Sequence, residues 1–147
     1  MILKSVRLLN EEEYTKHKSM IPEATNWWWL KTPNLQYNSF VRIIHDDGDL
    51  HDCDCICYNG GVRPLCIFNL ESTNPIFWYK SEVLVGSKIE YGKYKWTILS
   101  IEGCEIHALC DEIIAECCFD RKTNIWEESQ LKRWLETIGL GIIQEEK

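Results

Sequence analysis

The stretch Trp27-Trp28-Trp29-Leu30-Lys31-Thr32-Pro33, paired with Gly61-Val62-Arg63-Pro64 further along, decides how the rest of the chain is read. On a strand, successive side chains alternate faces, so Trp27 and Trp29 share one side and Trp28 takes the other. Each indole buries on the order of 200 Å². Such a segment sits between two layers, or is core on one face and contact surface on the other. Pro33 ends it, because proline has no ladder donor and holds Thr32 extended.

Working outward, residues 2–9 read as a short strand. Asn10 is a helix N-cap, with Glu11, Glu12 and Glu13 at the positive end of the dipole and Glu13 placed for a capping box. This helix runs past Tyr14, His17 and Lys18, stops before Pro22, and is polar enough to lie on the surface. Ser39 to His45 is a strand, Asp46-Asp47-Gly48-Asp49 a turn, and Leu50 to Tyr58 the returning arm. After Asn59-Gly60-Gly61, Val62 to Phe68 is expected to complete an antiparallel meander. Phe77-Trp78-Tyr79 and Val83-Leu84-Val85 are short strand candidates, and Tyr94–Ser100 with Cys104–Cys110 forms a second hairpin. Asp111 is expected to cap a helical turn from Glu112 to Cys118. Asn124, with Glu127, is expected to cap the main helix, which carries Trp126, Leu131, Trp134, Leu135 and Ile138 on one stripe. Gly139 reads as its C-cap and Gly141-Ile142-Ile143 as a last strand. The expected class is α+β: a twisted antiparallel sheet with two main helices, in a single domain over residues 1–147.

A chain of 147 residues with 45% hydrophobic content buries a sizeable core. The net charge of −7 and pI near 5.1 exclude a generic binder of nucleic acid or anionic membrane and suit a protein partner with a basic surface. No window reaches membrane-spanning length, and the first residues have no apolar leader core. The expected location is cytoplasmic, with the eight cysteines reduced.

Trp28 to Pro33 followed by Gly61-Val62-Arg63-Pro64 resembles the WWLRSP…GVRPAL signature of a bacterial and phage family, domain of unknown function 6273. Leu8 to Tyr14 resembles that family's second helix. Lys95 to Leu99, Ala108-Leu109-Cys110, Ile113-Ile114 and Phe119-Asp120 resemble its opening, and Trp126 to Leu135 its helix. In the family, the segment like 93–138 precedes the segment like 7–68, so the resemblance implies a circularly permuted order here. It also implies a C-type-lectin-like fold, similar to the formylglycine-generating enzymes.

His51, Cys53, Cys55 and Cys57 alternate on the expected strand and invite a zinc proposal. A straight strand spreads them about 6.5–7 Å apart, too far for one ion, so thiols packed on a sheet are the stronger reading and no cofactor is expected. Cys117-Cys118 is a poor disulfide pair. Arg63, between apolar neighbours, is expected to stack on a tryptophan and bond backbone carbonyls. His45, His51 and His107 have no nucleophile motif beside them, which leaves an enzyme only with an active site assembled from distant residues. Sugar-binding lectin motifs are absent from the sequence. Asp46, Asp47, Asp49, Asp52 and Asp54 run through one hairpin, and with Trp27 they are the expected partner-binding residues. The sequence therefore reads as a non-enzymatic protein-binding module. In its narrowest form it is a phage-encoded inhibitor that blocks a basic groove of a CRISPR-type defence complex.

Overall fold

Trp28 and Trp29 are both buried, and they enter different apolar clusters. Trp29 joins Val41, Ile43, Phe68 and Trp96, with Trp27 packed on it edge to face at 5.1 Å. Trp28 joins Leu30, Tyr14, Ile44 and Leu109. The alternation along this strand places it between two layers. The structure is a computed structural model that describes residues 2–70 and 84–146.

The class is α+β, with two five-stranded sheets where one was expected. In the first sheet β1 (Ile2–Arg7), β6 (Leu65–Asn69), β9 (Glu105–Cys110), β8 (Tyr94–Glu102) and β7 (Lys88–Tyr91) lie side by side, all antiparallel. The second sheet has the order β10 (Ala115–Glu116), β5 (Gly61–Val62), β2 (Trp28–Pro33), β3 (Phe40–Ile44) and β4 (Leu50–Asp54). Within it β2 and β5 run parallel. Trp29, Val62, Cys66, Trp96 and Ala108 share one apolar cluster, so both sheets contribute to the same core.

The expected strand from Val62 to Phe68 is two strands in different sheets. Pro64 has no N–H to give and accepts from Cys110 through its carbonyl, while Arg63 turns its side chain inward, so the ladder breaks there. The expected meander therefore stops at the β3–β4 hairpin. The returning arm is also shorter than expected: after Asp54 the chain turns, with Cys57 N donating to Asp54 O at 3.0 Å. Gly60 lies against the Trp29 indole, where a Cβ would come within 2.0 Å of Nε1, and that nitrogen donates to Cys117 O.

Helix α1 (Glu11–His17) begins at the expected cap. Asn10 Oδ1 accepts from Glu13 N at 2.7 Å, Glu13 Oε1 accepts from Asn10 N at 3.0 Å, and Arg7 holds the same carboxylate with two bonds of 2.8 Å. Its Tyr14 is buried.

The C-terminal third departs from the local pattern in five places. Residues 112–118 form no helix, because Ile114 N and Cys117 N donate to Val62 O and Gly60 O and the short β10 forms on β5. Asn124 does not cap a helix; its side-chain amide donates to the carbonyls of Asn34, Tyr37 and Phe40. The cap is Ser129, which precedes α2 (Gln130–Trp134) and accepts from Lys132 N. Gly139 does not end the helix: it is buried in right-handed helical geometry, a π-helical turn (Leu135–Gly139) leads on into α3 (Leu140–Gln144), and Ile142-Ile143 is helical rather than a strand. Ile138 faces solvent, and Ile143 takes the core position instead. Residues 77–79 and Val83 lie outside the described residues, Leu84-Val85 leads into a turn, and β7 had no expectation attached to it.

Candidate functional site

The acidic hairpin closes tightly. His45 N donates to Asp49 O at 2.9 Å and Gly48 N to His45 O at 3.0 Å, with Gly48 at φ +88° in the left-handed region that glycine tolerates. Asp47 Oδ1 accepts from Asp49 N at 2.9 Å, which pins that carboxylate to the turn. From α1, the Tyr14 hydroxyl donates to Gly48 O at 2.7 Å, and Tyr14 packs edge to face on Trp28. A buried aromatic thereby anchors an exposed turn.

The five aspartates are not equivalent. Asp46, Asp47 and Asp49 are exposed, and none of them enters an ion pair among the described residues. Asp52 is half-buried and faces Arg42, whose guanidinium donates to it at 2.8 Å and to Glu11 of α1 at 2.7 Å. Asp54 accepts from Ile56 N and shapes the turn after β4. The structure thus brings three of the predicted aspartates together at the tip and gives the other two structural partners. Trp27 is half-buried against Trp29, on the face opposite Trp28.

Between the turn and α1 lies a cavity of about 140 Å³, lined among others by Tyr14, Lys18, Trp28, Asp46, Asp47 and Arg63. At its base Arg63 is 1% exposed, with its guanidinium 5.0 Å from the Trp28 ring centre. Nε donates to Cys110 O at 2.7 Å, and Nη2 donates to Pro22 O at 2.8 Å and Asp111 O at 3.1 Å. Burial pushes its pKa down to about 10, so it remains charged at neutral pH. These bonds occupy the guanidinium with three carbonyls, as the sequence predicted, and tie the loop before β2 to the end of β9.

Residues 3–70 match the family described as Domain of unknown function (DUF6273). No curated protein matches the chain, and no solved structure matches it. The matched residues include α1, the tryptophan strand, the acidic hairpin and Gly61 to Pro64, so the cavity between turn and helix lies within them. The segment 93–138 lies outside the match.

The proposed zinc set does not converge. Cys55 is buried, Cys57 lies beyond the end of β4, and Cys53 Sγ faces Cys57 Sγ at 2.8 Å. Burial, and then the contact with Cys57, pushes the Cys53 thiol up to about 12, and burial pushes Cys55 to about 11. Thiols held protonated in this way are poor nucleophiles. His107 stands on the other sheet, 3.2 Å from Glu102 and 3.4 Å from Glu105.

Two features had no sequence signal of their own. His45 and His51 stack with ring centres 4.1 Å apart, which follows from the hairpin register rather than from spacing. Leu35, Tyr37, Ile56 and Tyr58 are exposed on the loops at the far end of the same hairpin, where Cys55 N donates to Ser39 O.

Proposed function

We propose that the chain is a non-enzymatic protein-binding module that presents the Asp46–Asp49 turn to a partner with a basic surface. The observation that carries this reading is the anchored turn: three exposed carboxylates on a loop whose shape is fixed by the Tyr14 to Gly48 bond. A preformed charged surface loses little entropy on binding and steers a basic partner. The exposed apolar side chains at the other end of the hairpin add contact area suited to a protein.

In the narrower form of this reading, the module works in the cytoplasm as a phage-encoded inhibitor and fills a basic groove of a CRISPR-type defence complex. Its net charge of −7 and its size suit that role. Among the described residues no helix is long and apolar enough to cross a membrane. The test is quantitative affinity capture with the wild-type chain and the D46N/D47N/D49N variant. A partner held by the first and lost by the second at equal thermal stability supports the reading. Equal capture by both overturns it.

A further inference from the structure

We propose that His45, Asp47 and His51 form a binding site for one divalent transition ion of the Zn²⁺, Co²⁺ or Ni²⁺ class. This goes beyond the partner-binding reading and does not depend on it. One potential ligand atom from each residue lies within 4.8 Å of those of the other two. The backbone makes this arrangement persistent. Ile43 pairs with His51 across the ladder, and His45 N donates to Asp49 O, so the two histidines are diagonal neighbours on opposite arms of the hairpin. Their rings lie at 35° to each other with centres 4.1 Å apart. Asp47 has one oxygen on the Asp49 amide and the second oxygen available.

Two imidazole nitrogens and one carboxylate oxygen are a borderline donor set, matched to these ions rather than to calcium or magnesium. Around a tetrahedral ion with bonds of about 2.0–2.2 Å, ligand atoms stand about 3.3 Å apart. The three side chains are exposed, so rotation about their own bonds closes the remaining distance without moving the ladder. The other coordination positions face solvent and take water. Asp46 and Asp49 flank the site and add negative potential that favours a dication. Among the described residues no cysteine joins this group.

Co²⁺ alone is the probe, titrated into the full chain under reducing conditions with a non-chelating reductant. The expected result is one equivalent bound, no thiolate-to-cobalt charge-transfer band, and at least tenfold weaker binding in H45A, H51A and D47N. In the wild-type protein, the ring signals of His45 and His51 should broaden at lower Co²⁺ than those of His107, which on the other sheet stands in a second group of possible ligands with Glu102 and Glu105. This second readout needs no variant. Binding that persists in H45A/H51A, a thiolate charge-transfer band, equal broadening at all histidines, or no saturable binding overturns the site.

Discussion

The Tyr14 hydroxyl donates a 2.7 Å hydrogen bond to the Gly48 carbonyl, joining a helix by its buried aromatic to the tip of the acidic hairpin. The tip is otherwise solvent-exposed, and its neighbours Arg42, Glu11 and Asp52 form a second tie between the same two elements. Order in the turn is therefore coupled to α1.

Tyr14→Phe keeps the ring against Trp28 and removes only that bond. The expected cost is about 1 kcal/mol of stability, read from urea unfolding. Amide exchange at residues 47–49 should quicken by more than global destabilisation alone explains. Unchanged exchange at those amides would show that the turn does not rely on α1.

Arg63 satisfies the carbonyls of Pro22, Cys110 and Asp111 while lying over Trp28. Arg63→Ala leaves those acceptors buried without a donor and opens a cavity, at an expected cost of about 3 kcal/mol or more. Arg63→Lys keeps the charge but not the planar fork, and it should also destabilise measurably. A denaturation midpoint unchanged in both variants would contradict the structural role.

Two carboxylates give the stability a pH dependence of known sign. Burial alone would raise Glu13, but the bonds from Arg7 and the Asn10 amide bring it below its usual value. Asp120 behaves alike: burial raises it, and the amides of Lys122, Thr123 and Gln130 lower it further than that. A carboxyl depressed in the folded state binds its proton more readily when unfolded. Its stabilisation is present above the unfolded value, in the ordinary carboxylate range, and is lost as pH falls through the folded value. The melting temperature should therefore drop between about pH 5 and pH 3. Glu13→Gln should flatten part of that drop.

The parts legible in sequence are those whose causes are local. Asn10 and Glu13 cap one another within three residues, and alternation on a strand sends Trp28 and Trp29 to opposite layers. Arg63 was legible because a guanidinium between apolar neighbours must find carbonyls. The C-terminal third was not, because distant partners override its local signals. Asn124 has the side chain of a cap, yet it spends its amide on a loop some 90 residues earlier in the chain. Ile114 and Cys117 form no helix because Gly60 and Val62 offer carbonyls there. At the site, the acidic run was visible, but the division into an exposed tip and a paired stem depends on Arg42 being opposite Asp52. The meeting of His45 with His51 depends on the same register.

The central claim is that the exposed tip aspartates carry recognition of a basic protein. Its most direct measurement is the dissociation constant of the captured partner against sodium chloride concentration, for the wild-type chain and for D46N/D47N/D49N. Wild-type affinity should fall steeply with salt, and the variant should bind more weakly with a shallower slope. Equal affinities and equal slopes for the two proteins would contradict it.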